Sequence, residues 1–397
     1  MKTLYKLEKK IGLGYFATST PPIYGKLRLK IDDFFVDEIG LTYPKNTLGG
    51  DYTHFTMEKL NLDTIFAIRA ISKTLRISSK RLGYAGNKDR RAITRQRVSC
   101  WKIDVDKLKM VHIPKITLSN FTQCDKEIYI GDLEGNKFRI IARDISINLN
   151  ELENMMKNTV DELSQTGIPN YFGYQRFGII RPNNHLVGLK LIKGDLEGAI
   201  KEYLCKPSPL EKDDAINARQ YLEDSLDYKG ALKRFPLRLN YERAVIHHLH
   251  NSSKDFAGAL RQLPRKLSMI FVHSYQSYLF NKILSHFLKE GEGIKSMKIP
   301  LLGYQSSLRD RKTTVIVNDI LDKENIRLKN FWIKSMPELS CKGAYRAACV
   351  TTDVKIKTCK DDLNPGKFGF ISEFILPKGC YATVVMREFL KTNPLNY

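Results

Sequence analysis

One segment constrains this chain more than any other: Gly83-Tyr84-Ala85-Gly86-Asn87-Lys88-Asp89-Arg90-Arg91-Ala92-Ile93-Thr94-Arg95-Gln96. Two glycines, an asparagine and a Lys-Asp pair predict a turn able to hold unusual backbone angles. Its flanks are basic, with Lys73, Arg76, Lys80 and Arg81 before it and Arg90, Arg91, Arg95, Arg97 and Lys102 after it. Asp89 is the only acid between Lys73 and Lys102. Surrounding cations favour an ionised carboxylate, and the same cations gather a polyanion. Two readings fit: a surface turn whose Asp89 pairs with neighbouring arginines, or a carboxylate presented to a nucleic-acid backbone.

The segments around this turn have recognisable periodicities. Apolar residues at Leu62, Ile65, Phe66, Ile68, Ile71, Leu75 and Leu82 predict a helix over 62–82, capped by Asn61 or Asp63, that leads into the turn. Ile93, Val98, Cys100, Trp101, Ile103 and Val105 predict a strand after it. Residues 1–60 read as loop and short strands, with a strand, a turn and a strand over Gly25 to Glu38. Residues 128–145 read as a hairpin turning at Gly135-Asn136. An amphipathic helix over 150–165 ends at Gly167 and Pro169. In Pro169-Asn170-Tyr171-Phe172-Gly173-Tyr174-Gln175-Arg176-Phe177-Gly178, aromatic faces beside Asn, Gln and Arg can stack a base and bond its edges. A glycine-punctuated core loop is the alternative. His273 to Ser285 reads as a core helix, and the C-terminal stretch as strand, glycine turn, then strand or short helix.

A chain of 397 residues predicts two domains. Its formal charge of +22 points to nucleic acid or an anionic membrane surface, although abundant lysine also fits a thermophile's surface. Seven cysteines, an odd number with no Cys-x-x-Cys, argue against a disulfide framework and for a reducing cytoplasm. No apolar run approaches the roughly 20 residues of a membrane span, and the N-terminal residues lack a signal peptide's apolar core. Gly12-Leu13-Gly14-Tyr15-Phe16-Ala17 matches a dinucleotide-binding pattern, but charged residues precede it and Pro21-Pro22 would stop the helix that pattern needs. His247, His248 and His250 lack partners at ligand spacing, so no metal site is expected.

Gly86 to Gln96 resembles the catalytic motif of the TruD family of pseudouridine synthases, Gly-x-Lys-Asp-Arg-x-Ala-x-Thr-x-Gln. Further resemblances follow in the family's order: Asp33-Phe34 to Glu38, Gly135 to Ile140, Asn170 to Gly178, Tyr275 to Asn281, Lys342 to Ala348, and Leu376 to Glu388. The resemblance implies that Asp89 is the nucleophile, with a basic partner at Lys26 or Arg28. It implies a uridine pocket lined by Asn170 and Phe172, the latter stacking a flipped-out base. Lys88 would assist Asp89 or face phosphate, and Arg81, Arg90, Arg91, Arg95 and Arg176 would contact the RNA backbone.

The implied fold is α+β. A catalytic domain with a mostly antiparallel bent sheet would occupy 1–196 and 341–397, and an inserted α/β TRUD domain 197–340, with the active cleft between them. The implied reaction isomerises uridine to pseudouridine in RNA, most often at uridine 13 of tRNA. The N1–C1′ bond breaks, the uracil rotates and C5 joins C1′. No atom is gained or lost, so no redox cofactor, metal or nucleotide is chemically required. The expected partner is tRNA, with other RNAs open, and neither a membrane nor a protein partner is expected. The competing class is a non-catalytic RNA-binding protein of the same fold.

Overall fold

The computed structural model describes residues 1–43 and 50–397; residues 44–49, part of the stretch expected to be loop and short strands, lie outside the described residues. The chain divides into two compact units, each built from two segments: Thr18–Ile168 with Thr351–Tyr397, and Met1–Ala17 with Pro169–Val350. The sequence placed the divisions at 196/197 and 340/341. Leu196 instead opens a helix, Leu196–Cys205, that stays whole inside the second unit.

The first unit is built on a sheet of nine strands among the described residues. In chain order its first seven are β1 (Lys26–Leu27), β2 (Phe34–Gly40), β3 (Tyr52–Leu60), β4 (Leu82–Tyr84), β5 (Ile93–Trp101), β6 (Ile116–Cys124) and β7 (Leu133–Ile145). Strands Lys355–Lys360 and Phe368–Pro377 complete it. The order across the sheet is Lys355–Lys360, Phe368–Pro377, β7, β2, β5, β3, β6, with β1 also on β7 and β4 also on β5. Among the described residues β2 and β5 run parallel, and the other ladders of this sheet are antiparallel.

The period-two alternation of β3 and β5 fills one core. Phe55 and Met57 on β3 meet Val98 and Cys100 on β5, and the helix Thr64–Thr74 lays Ala67, Ile68 and Ile71 over them. Asp63 caps that helix, its carboxylate accepting from the Phe66 amide at 2.8 Å. The helix ends at Thr74, short of the predicted 82, and a 3-10 turn, Ser79–Arg81, leads into β4. On β3, Lys59 falls on the same buried face as Phe55 and Met57 and is fully buried. A lysine there must find polar partners.

Of the hairpin expected over 128–145, residues 133–145 form a single long strand, β7, and Gly135-Asn136 lies inside it; residues 128–132 are not strand. The glycine is there for close approach: a Cβ on Gly135 would meet the Leu376 carbonyl oxygen at 2.3 Å. The reversal comes earlier, where the Asp132 amide donates to the Tyr129 carbonyl at 3.0 Å and Gly131 takes φ +99°. The helix Leu149–Thr166 begins at an Asn148 cap and stops at Gly167, φ +77°.

The second unit is mostly helical and carries a two-stranded antiparallel ladder, Lys298–Leu301 with Ala344–Ala347. Its central element is the 25-residue helix Arg265–Lys289, buried along most of its length. Gly12 and Gly14 serve packing against this helix, which removes the dinucleotide reading. A Cβ on Gly12 would meet Asn281 Cβ and the Tyr278 carbonyl oxygen at 2.9 Å, and the Gly14 amide donates to Ser285 Oγ at 2.9 Å.

Candidate active site

The Asp89 loop joins β4 to β5 and is held almost residue by residue. The Ala85 carbonyl accepts from the Gly131 amide at 2.8 Å. The Gly86 carbonyl accepts from Gln96 Nε2 at 3.0 Å, and the Lys88 amide donates to Thr64 Oγ1 at 2.9 Å. Thr64 in turn donates to Gln96 Oε1 at 3.0 Å, so the helix start and β5 grip the loop together. Beneath it, the buried Lys59 ammonium donates to the carbonyls of Asp89 (2.9 Å) and Leu62 (2.6 Å). Burial pushes Lys59 down to about 8, with the Asp89 and Asp63 charges opposing and Lys88 adding to the fall. Tethered through its main chain, Asp89 keeps its carboxylate outward, the side chain 39% exposed.

The loop glycines do not supply the unusual angles expected of them: neither Gly83 nor Gly86 has positive φ. Gly83 permits a close approach instead, since a Cβ there would meet the Ile128 carbonyl oxygen at 2.4 Å. The left-handed residue is Arg28, at φ +58°. Alternation along β1 would put residues 26 and 28 on one side. The backbone flip at Arg28 separates them. Lys26 pairs with Asp144 at 2.8 Å, whereas Arg28 lies over the Phe34 ring at 4.0 Å and brings Nη2 to 3.5 Å from Asp89 Oδ2.

The Arg28 carbonyl accepts from Arg91 Nη2 at 3.0 Å, so the motif's second arginine steadies the strained residue. Asp33, further along the connection that follows Arg28, is buried against Arg143 at 2.8 Å and accepts from the Lys30 amide at 2.8 Å. Burial lowers the Arg28 pKa from its ordinary value; Asp89 opposes the fall and Arg91 adds to it. Arg28 Nε and Nη2 are buried and make no hydrogen bond among the described residues. They are donors in reserve beside an exposed carboxylate.

Lys88 does not face phosphate. Its side chain is 6% exposed, with the ammonium 2.5 Å from Glu38 Oε2 and 2.8 Å from Asn136 Oδ1. The adjacent Asp89 is tied down by its carbonyl, so the chain alternates one side chain inward and the next outward. Of the arginines expected to meet RNA, Arg90, Arg91 and Arg95 are exposed. Arg95 is paired with Glu58 at 2.5 Å, Arg91 donates to the Arg28 carbonyl, and Arg81 donates to the Trp101 and Lys102 carbonyls.

Asn170 and Phe172 belong to the second unit. Asn170 Nδ2 donates to the Ala347 carbonyl at 3.0 Å, and its amide donates to the Ala348 carbonyl at 2.8 Å. Arg346 bonds the Asn170 side-chain oxygen and its carbonyl. The Arg346 guanidinium also lies 4.3 Å from the Phe172 ring centroid, with Arg176 at 5.3 Å and Phe280 edge-on at 5.4 Å. Phe172 is only 4% exposed, so in this state the ring is largely covered. A cavity of about 380 Å³ nevertheless reaches it, lined also by Arg176, His273 and Gln276.

Asn281 fixes the backbone here. Its Oδ1 accepts from the Phe172 amide at 2.9 Å and its Nδ2 donates to the Phe172 carbonyl at 3.1 Å. The helix segment read as plain core therefore positions the pocket loop. Lys59, Arg346 and Asn281 all escaped the sequence reading of the site. A lysine in phase with Phe55 and Met57 was the available signal for Lys59.

The tRNA pseudouridine synthase D (TruD) family model matches residues 10–297 and 292–389. Proteins named "Probable tRNA pseudouridine synthase D" from Methanosarcina mazei and Methanococcoides burtonii are 36% and 35% identical to this chain. The first match covers 98% of both chains; the second covers 100% of this chain and 99% of the relative. A crystal structure described as that of the "Putative tRNA pseudouridine synthase D (TruD)" from Methanosarcina mazei superposes with a TM-score of 0.86 at 36% identity, covering 100% of both chains. The mixed α/β architecture, its mostly antiparallel sheet and the whole-length similarity agree: the chain belongs to the TruD family of tRNA pseudouridine synthases.

Proposed function

We propose that this protein isomerises uridine to pseudouridine in tRNA, at uridine 13, with Asp89 as the nucleophile. The observation that carries the reading is the Asp89 loop. Its main chain is clamped by Lys59, Thr64 and Gln96, while the carboxylate stays exposed 3.5 Å from a guanidinium whose Nε and Nη2 make no hydrogen bond among the described residues. Main-chain anchoring with an outward-facing carboxylate suits a group that must attack a substrate atom without reorganising its surroundings.

Arg28 complements the Asp89 charge, and its spare donors suit an oxygen of the bound nucleotide. Asn170 and Phe172 receive the uracil, with Arg346 holding Asn170 in place. Stacking on the covered Phe172 ring requires the guanidinium above it to move or to share the ring. Lys26 and Lys88 have no part in this reading, because Asp144 and Glu38 engage them. Arg90, Arg91 and Arg176 are retained as RNA contacts. The bond changes are intramolecular: N1–C1′ breaks and C5–C1′ forms, with the C5 proton transferred to solvent and N1 left protonated.

Pseudouridine mapping of unmodified tRNA incubated with the purified protein tests the proposal. Conversion at position 13 supports it. Conversion at another position would refute the site assignment alone, and no conversion in any tRNA would refute the activity.

A further inference from the structure

The second unit carries another cavity, of about 580 Å³, that shares no lining residue with the one at Phe172. Tyr304 and Trp332 form its aromatic wall, their centroids 5.1 Å apart and their planes at 74°. Edge-to-face packing covers at most one ring face of the pair, which leaves aromatic surface for a third ring. Trp332 is 47% exposed, yet its backbone is fixed. The neighbours Phe331 and Ile333 are buried, the Trp332 amide donates to the Lys329 carbonyl at 3.1 Å, and the Ile333 amide donates to Ser340 Oγ at 2.9 Å.

Lys193, Lys329 and Lys334 line the same cavity, and no acid does. All three are exposed, and none forms an ion pair among the described residues. The cavity mouth at Gly194 is open: a Cβ there would meet nothing within 4 Å. An exposed indole on a fixed backbone, ringed by three lysines without ion pairs among the described residues, differs from a protein-docking patch in its lysines, a residue type depleted in protein interfaces. It matches the combination that binds single-stranded nucleic acid, a stacking platform within a positive groove.

We propose that this cavity is a second RNA-binding site, which takes one unpaired nucleotide by stacking its base on Trp332 and Tyr304 and pairing flanking phosphates with Lys193, Lys329 and Lys334. The inference rests on the reading that the substrate is RNA, and it adds a contact outside the uridine pocket. Its volume lies within the range of sites that enclose small ligands.

The test uses the full-length Trp101→Phe protein, in which Trp332 is the sole tryptophan. Its emission is titrated with a single-stranded oligouridylate, with unmodified tRNA and with a polyglutamate peptide. The expected result is saturable quenching by both RNAs and none by the peptide. Trp332→Ala should weaken tRNA binding about thirtyfold, the middle of the range for losing one base–aromatic stack. Changing Lys193, Lys329 and Lys334 together to Gln should flatten the log–log salt slope by about 2. Trp332→Phe should restore most of the affinity.

Unchanged emission at saturating RNA, wild-type affinity in both variants, or quenching by the peptide alone would overturn the proposal. Pseudouridine yield measured beside these titrations separates the two readings. Yield without Trp332 quenching defeats this site only, and quenching without yield defeats the proposed activity only.

Discussion

Arg28 Nη2 lies 3.5 Å from Asp89 Oδ2, and it reaches that position from a left-handed backbone conformation just after the short strand paired with β7. With the Asp89 carboxylate exposed and the two groups 3.5 Å apart, the pair contributes little to folding, about 0–1 kcal/mol. Its value is in placing charge beside the carboxylate. Arg28→Met should therefore leave the melting temperature nearly unchanged and lower the single-turnover rate about a hundredfold, the scale for losing one preorganised donor. Arg28→Lys should recover only part, because an ammonium lacks the planar fork. Wild-type turnover in Arg28→Met would remove Arg28 from the mechanism.

Lys59 supports the same carboxylate from below. Lys59→Met preserves shape and strands the carbonyls of Leu62 and Asp89, which now accept from the ammonium. A loss of about 2–3 kcal/mol in stability is expected. The folded fraction should also turn over at least tenfold more slowly, because a displacement near 1 Å at reacting groups is costly. Affinity for tRNA should be close to wild type. Equal stability together with equal rate would show that the clamp is idle.

Phe172 is both a core residue and the proposed partner of the uracil. Phe172→Ala should destabilise the protein by roughly 3–5 kcal/mol, so its activity loss is ambiguous alone. Arg346→Lys resolves this. It keeps a cation near Phe172 and weakens the grip on Asn170. Turnover should fall about tenfold with the melting temperature little changed. Normal turnover by Arg346→Lys would detach Asn170 from substrate binding.

His185 sets an acid limit on stability. It is buried between Phe177, edge-on at 5.4 Å, and Tyr278 at 5.2 Å, and burial with the nearby Lys10 charge pushes it down to about 4. Between about 4 and 6.5 the unfolded chain binds more protons here than the folded one, so stability rises with pH across that window and is lost on acidification. The loss should be on the order of 3 kcal/mol by pH 4. His185→Phe should remove this part of the slope in denaturant titrations at pH 4 and pH 7. An unaltered slope would mean that the imidazole titrates normally.

Much of the fold was legible because its signals were local. Apolar residues marked β5, although Val105, expected in that strand, opens a helix, Val105–Lys109; Asp63, one of two candidate caps, caps the helix Thr64–Thr74; and Asn148 and Gly167 bracket a helix expected close to those bounds. The failures share a cause. Gly135-Asn136 looks like a turn from its own residues, yet it sits mid-strand because the strand Phe368–Pro377 approaches it from more than two hundred residues away. The choice between Lys26 and Arg28 depended on one backbone angle. The inward course of Lys88 depended on Glu38 and Asn136, which lie on other strands. Asp89 was legible because a lone acid in a basic run is a one-dimensional signal, whereas the residues that hold it come together only in three dimensions.

The Asp89 carboxylate is proposed to perform the chemistry. Asp89→Asn preserves the side chain's shape and leaves the main-chain bond from Lys59 available. Pseudouridine formation in tRNA, measured under single-turnover conditions beside tRNA affinity, is the direct test. Asp89→Asn protein should form no detectable pseudouridine and bind tRNA as tightly as wild type or slightly more tightly, since one negative charge leaves a basic surface. Pseudouridine formation by pure Asp89→Asn protein at a rate near wild type would contradict it.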